Sequence, residues 1–200
     1  MCGRFIIFSE AEEKEIMDIV EEVNRKYVED AMKDGEIFPT DLSPTISLNN
    51  DIKDISLFKW GFPNFKGSSV IINARSENLL EKPIFRESFL SRRCLIPATA
   101  FFEWKKEGFK KQKFIISSSE VNLFYMAGLY KETIDKNGDK VTSFVIITTA
   151  ASSNMSKIHD RMPVMLVHKS ETELWLKTES NIRELNYLFN PNNKINMVPV

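Results

Sequence analysis

From residue 54 onward the chain is crowded with short runs rich in β-branched and aromatic residues, at Ile55–Trp60, Val70–Ile72, Cys94–Trp104, Phe114–Ser117, Leu123–Tyr130 and Val141–Thr149. Runs of this length, bounded by Gly, Pro, Asn and Asp, read as strands. Asp135-Lys136-Asn137-Gly138-Asp139 and Glu107-Gly108-Phe109 carry hairpin chemistry, so most neighbouring strands are expected to be antiparallel. Strands this numerous and this short predict a barrel-like or strongly curled sheet.

Helical periodicity is confined to a few places. Ile16, Ile19, Val20, Val23, Tyr27 and Ala31 repeat at helical spacing, which predicts one amphipathic helix from Ser9 to about Asp34. Ser9 with Glu12 forms a capping box at its start, and Gly35 stands where the chain should leave it. Phe38-Pro39-Thr40-Asp41-Leu42-Ser43-Pro44 reads as a Pro-punctuated loop. Shorter helices are expected near Ile84–Leu90, Ser170–Leu176 and Asn181–Phe189, and a terminal strand at Met197–Val200. The fold class expected is α+β: a single domain over residues 1–200 with a mostly antiparallel, barrel-like β core and flanking helices.

Composition excludes several functions. A formal net charge of -1 gives no global attraction to nucleic acid or acidic membranes, so a polyanion site must be a local patch. Two cysteines, Cys2 and Cys94, lack the paired spacing of a zinc site or a disulfide framework, so no metal and no cofactor are expected and a reducing cytoplasm fits. No apolar run is long enough to span a bilayer.

Five places carry chemistry. The chain opens Met1-Cys2-Gly3-Arg4-Phe5, and a small residue at position two favours removal of the initiator Met. Cys2 would then hold an α-amine and a thiol, with ordinary pKa values of about 7.7–8.0 and about 8.5, so both nucleophiles are available near neutral pH. An amine and a thiol on one residue suit attack on an aldehyde: the amine forms an imine and the thiol closes a five-membered thiazolidine. Asn73-Ala74-Arg75-Ser76-Glu77 offers an amide and a phosphate-matching guanidinium, or else a strand-ending turn with a surface salt bridge.

Glu103 sits among aromatics in Phe101-Phe102-Glu103-Trp104-Lys105, either as a proton-transfer group or as the partner of an arginine. His159 in Ile158-His159-Asp160-Arg161-Met162-Pro163 is an acid/base or phosphate-contact candidate, with Asp160 and Arg161 orienting its loop. Lys105, Lys106, Lys110, Lys111 and Lys113 surround a hairpin tip, suited to a phosphate backbone or simply to solvent; Trp60, Phe62 and Phe65 could stack on unpaired bases.

Taken in order, Met1-Cys2-Gly3-Arg4-Phe5, Trp60-Gly61-Phe62-Pro63, Asn73-Ala74-Arg75-Ser76-Glu77, Phe102-Glu103-Trp104-Lys105 and His159-Asp160-Arg161-Met162-Pro163 closely resemble the SRAP family of abasic-site processing proteins. The resemblance spans residues 2 to about 176. It implies recognition of abasic sites in single-stranded DNA and covalent crosslinking through the N-terminal Cys, with associated lyase and self-processing peptidase activities. It makes Cys2 the nucleophile, Asn73 and Glu103 the polar pair around the opened sugar, and His159 the catalytic histidine. Arg4, Arg75 and Arg161 become phosphate contacts, with Trp60 and Lys105 also on the DNA side.

The chain departs from the family where Phe65 stands near the place of a second Trp, and where Thr40-Asp41-Leu42-Ser43-Pro44 lacks an aromatic-Asn pair. A monomer in the cytoplasm, associated with the nucleoid when on DNA, is expected, with no membrane partner. Two other readings remain: an N-terminal-nucleophile Cys amidohydrolase, and a passive single-stranded DNA binder.

Overall fold

The computed structural model describes residues 2–7, 14–27, 35–64 and 69–200. In chain order the elements are β1 (Phe5–Ile7), α1 (Lys14–Lys26), β2 (Gly35–Ile37), β3 (Leu42–Asn49), β4 (Ile52–Trp60), β5 (Phe62–Pro63), β6 (Val70–Ile71), β7 (Asn73–Arg75), α2 (Pro83–Ser91), β8 (Arg93–Ala98) and β9 (Ala100–Glu107). There follow β10 (Lys110–Ser118), β11 (Phe124–Ile134), β12 (Lys140–Ala150), β13 (Arg161–Pro163), β14 (Met165–Leu166), α3 (Lys169–Leu176), α4 (Ile182–Tyr187) and β15 (Ile195–Pro199).

Five strands close a barrel. β4 pairs β3, β3 pairs β8, β8 pairs β11 and β11 pairs β12, all antiparallel, and β12 returns to β4 by a short parallel pairing at Ser143↔Lys59 and Phe144↔Trp60. The expected α+β class with a barrel-like, mostly antiparallel core is the fold observed. β7 continues along β12 beyond the end of β4, pairing Asn73 with Ile146 and Arg75 with Thr148. A second sheet, ordered β15-β10-β9-β1-β2, packs beside the barrel.

Strand alternation divides the apolar residues between two cores. Cys94, Ile96, Phe124, Met126, Phe144 and Ile146 pack with Phe5, Phe101 and Ile116 of the second sheet. Their chain neighbours Leu95, Ala127, Val145 and Ile147 pack with Ile16 and Ile19 of α1, Phe89 of α2 and Trp175 of α3. Burial on both faces is why these strands read as continuous apolar runs.

Several expectations need correction. Cys94–Trp104 is two strands broken at Thr99, where the chain leaves the barrel for the second sheet and the Thr99 amide bonds Ile6 O at 2.9 Å. The Pro-punctuated loop ends at Asp41, and Leu42 already begins β3. Pro44 is tolerated in that strand because β8 meets β3 only at Ile46 and Ser47, so no partner asks Pro44 for the amide hydrogen it lacks. Asn73–Arg75 is a strand rather than a turn, with one 3₁₀ turn following at Ser76–Asn78.

Helix α1 is shorter than expected: Tyr27 has left it, and Gly35 opens β2 at φ +82. The Ser9–Glu12 cap and Ala31 lie outside the described residues. Both hairpin turns form, with Gly108 and Gly138 at positive φ. Among the described residues no helix is long and apolar enough to cross a membrane.

Candidate active site

Four segments remote in sequence converge where the chain enters β1. Cys2 is fully buried, and its carbonyl accepts a hydrogen bond from Asn73 Nδ2 at 3.0 Å. The register of β7 on β12 holds Asn73 there. Asn73 Oδ1 is buried with no hydrogen-bond partner among the described residues. An orphaned amide oxygen costs about 1–3 kcal/mol, a strain that binding sites retain more readily than cores do.

Glu103 lies on β9 opposite Phe114 and is only 3% exposed. Strand alternation separates its neighbours: Phe101 joins the core containing Cys2, while Phe102 belongs to a separate cluster with Ile6 and Ala100 on the outer face. Burial pushes the Cys2 thiol far above its ordinary value, and the Glu103 carboxylate pushes it the same way. This corrects the expectation of a readily ionised thiol: in the folded chain Cys2 carries its proton at neutral pH. Met1 lies outside the described residues.

His159 stands in the turn leading to β13, with Nε2 4.0 Å from Glu103 Oε2. Its Nδ1 accepts the backbone N–H of Arg161 at 3.0 Å and also lies 2.9 Å from Asp160 Oδ1. The two contacts serve different protonation states. Neutral imidazole takes the amide on Nδ1 and keeps its proton on Nε2, facing Glu103, whereas the imidazolium can give Nδ1–H to Asp160.

The arginines are placed differently from one another. Arg161 is buried, forms a two-pronged pair with Glu77 at 2.8 and 2.9 Å, and donates to Thr148 O at 2.7 Å, so it anchors the His159 loop to the 3₁₀ turn after β7. Burial alone would raise the Glu77 carboxyl, but Arg161 together with the Glu77 backbone N–H and the Ser76 hydroxyl outweighs it and holds Glu77 below the ordinary range. Arg75 is exposed at the end of β7. Arg4 bonds Glu36 at 2.9 Å and lies over the rings of Phe38 and Trp104, 4.2 and 5.3 Å from their centroids. Lys113 bonds the other oxygen of Glu36 at 2.9 Å.

Trp60 is not at a DNA surface, which corrects its expected role. It is fully buried, donates Nε1–H to Ile72 O at 3.1 Å, and packs between Phe5 and Phe144. Phe62 is buried as well, and Phe65 lies outside the described residues. Gly61 explains part of that motif: at φ +116 its missing Cβ would stand 2.7 Å from Val70 Cγ2. Lys105 is half-exposed and pairs with Glu107 at 2.7 Å. Sequence reading missed Glu36, the shared carboxylate of Arg4 and Lys113, because no local pattern ties it to cations so far along the chain.

A cavity of about 800 Å³ lies away from this site, between α1 and the barrel, lined by Glu15, Asp18, Ile19, Lys53, Tyr125 and His168 among others. Among the described residues no three or more His, Cys, Asp or Glu are grouped to hold a metal ion.

The family model for the SOS response associated peptidase (SRAP) matches residues 1–200. The chain is 37% identical over 192 residues to the abasic site processing protein YoqW of Bacillus subtilis (strain 168), covering 90% of this chain and 82% of that protein. It is 29% identical over 187 residues to the abasic site processing protein YedK of Escherichia coli (strain K12), covering 92% of this chain and 83% of that protein. A crystal structure of a Bacteroides thetaiotaomicron protein superposes with TM-score 0.83 at 26% identity, covering 100% of this chain and 92% of that one.

Proposed function

The chain belongs to the SRAP family, and from that premise we propose that it captures abasic sites in single-stranded DNA as a covalent adduct on Cys2 after Met1 is removed. The observation that carries the reading is the convergence on Cys2: Asn73 on its carbonyl, Glu103 acting on its thiol, and His159 facing Glu103. None of these is close to another in sequence except through the fold.

The ring-opened abasic sugar presents an aldehyde. The Cys2 amine adds to its carbon, and water leaves to give an imine. The S–H of Cys2 then adds across the C=N bond, sulfur to carbon and hydrogen to nitrogen, so the net change is loss of one water and closure of a thiazolidine. Because the thiol is held protonated, this closure needs a base, and the role falls to Glu103, whose charge already acts on that thiol.

His159 Nε2 and Glu103 Oε2, 4.0 Å apart, are both within reach of one sugar oxygen set between them, which suits proton exchange during ring opening. The orphaned Asn73 Oδ1 accepts from the amine of processed Cys2 or from a sugar hydroxyl. Arg75 and Arg4 meet phosphates, while Arg161 keeps the His159 loop in place. An imine that loses a neighbouring proton before the thiol closes would expel the phosphate and cleave the strand, giving a lyase side reaction.

The test is to mix protein shown by mass spectrometry to begin at Cys2 with an abasic single-stranded oligonucleotide and denature the mixture. An adduct weighing the sum of both minus one water is expected, and Cys2→Ala should form none that survives heating. Heat-stable adduct from Cys2→Ala, or normal adduct from protein that retains Met1, overturns the proposal. Release of ammonia from glutamine with no adduct would replace it with an amidohydrolase.

A further inference from the structure

The β9–β10 hairpin outgrows its sheet. On one side β1 pairs β9 at Phe5↔Phe101 and reaches it last through the Phe102 amide on Arg4 O. On the other, β15 pairs β10 from Phe114 to Ser118, and the chain end adds only bonds to Lys113 and Gln112. The residues beyond form a two-stranded arm whose base is the site itself, since Glu103 and the entry to β1 lie where the flanking strand stops.

Charge and shape on this arm are unusual for a solvated hairpin. Lys106 and Lys111 are directly opposite each other, both exposed, and neither has an ion-pair partner among the described residues. Like charges in that position repel, so the pair is stabilised when an anion lies against it. They share a face with Trp104 and Lys113; this is the face opposite Glu103, and it reaches the entry to β1 through Arg4, which lies over Trp104. At the tip Phe109 is fully exposed. A lone exposed aromatic beside unpaired cations is the arrangement on which single-stranded nucleic acid stacks. Trp60 and Phe62, the aromatics first expected to stack, are in the core.

We propose that this arm is a second contact for single-stranded DNA: phosphates flanking the lesion follow Lys113, Lys106 and Lys111, and an unpaired base stacks on Phe109. The inference rests on the abasic-site reading above and extends its footprint. Four strand steps carry β9 from Glu103 to Glu107, which pairs with Lys110 across the Gly108-Phe109 turn, so at roughly 3.3 Å each the tip stands about 15 Å from the site. A strand advancing about 3.4 Å per nucleotide spans that in about four to five nucleotides, and a stretched strand in fewer.

The experiment uses single-stranded oligonucleotides carrying a non-reactive tetrahydrofuran abasic analogue, with flanks of one to about eight nucleotides lengthened on each side separately. Wild-type affinity should rise with flank length on one side and level off by about five nucleotides. Phe109→Ala should bind the longest strands about 5- to 100-fold more weakly, in line with one lost stacking contact, and the shortest equally well. Lys106→Gln with Lys111→Gln should reduce the salt slope by about 1.4.

Phe109 is at an exposed turn, so folding is unaffected, and crosslinking of the shortest reactive abasic strand should be unchanged. Affinity indifferent to flank length, or equal loss on short strands, overturns the arm while short strands still crosslink. An equal length-dependent gain on duplex flanks overturns stacking on Phe109. If wild-type protein crosslinks no abasic strand of any length, the abasic-site reading and the arm fall together.

Discussion

Burial and the Glu103 charge act on the Cys2 thiol in the same direction, so the carboxylate that suppresses the resting thiolate is the same one the proposed mechanism assigns to accept its proton. The two roles predict opposite effects of Glu103→Gln. Alkylation of Cys2 by iodoacetamide should speed up, because one of the two influences raising its pKa is gone. Crosslinking to abasic DNA should slow by about 10²–10⁴-fold, the usual cost of losing an acid/base group. Peptide mass mapping separates Cys2 from the buried Cys94, and binding to a non-reactive analogue reports whether the site stays intact. Crosslinking at the wild-type rate would make Glu103 a structural carboxylate. The identities of these groups were legible in the sequence, but their ionisation was not: the ordinary thiol value misleads once Cys2 is fully enclosed.

The elements that carry the site are short, and side chains hold them. The turn containing His159 is tied through Arg161 to Glu77 and to Thr148 O on β12. Glu77→Gln would leave the Arg161 guanidinium, 10% exposed, with two of its three hydrogen bonds and no opposite charge, because the glutamine amide NH2 cannot accept. The expected cost is about 1–2 kcal/mol, at the lower end for a buried charge because Glu77 itself is half-exposed. A lowered melting temperature with slower crosslinking and nearly unchanged DNA affinity would identify the pair as positioning His159. At this scale, sequence located most strands as short β-rich runs bounded by turn residues, and both hairpins by their glycines. It merged β8 with β9, because both are apolar and only the change of sheet at Thr99 separates them.

For the molecule as a whole, buried titratable groups set the pH range of stability. The folded chain binds the protons of Cys2, Cys94 and Tyr125 more tightly than the unfolded chain does, mainly through burial. Their contribution is present in full below the ordinary thiol value of about 8.5 and is lost as pH rises above it, since the unfolded state then releases protons first. Asp54 is held low by Lys26, and Glu36 and Glu77 are low because their cations, aided at Glu77 by hydrogen bonds from its own backbone N–H and Ser76, outweigh burial. That stability is present above the ordinary carboxylate range and fades as pH falls through it. Melting temperature should therefore hold a plateau from about pH 5 to 8 and decline on both sides; a continued rise beyond pH 9 would contradict the assignment of the buried groups. The sequence by itself determined which residues carry reactive side chains and where most short strand-forming runs lie, because side-chain chemistry and the composition of a run are local. Closure of the barrel through β12 and β4, the burial of Trp60 and the meeting of Cys2 with Asn73, 71 residues away, were decided only in the tertiary structure. Such contacts depend on the register between distant strands, and register is set by how whole faces pack rather than by any local spacing.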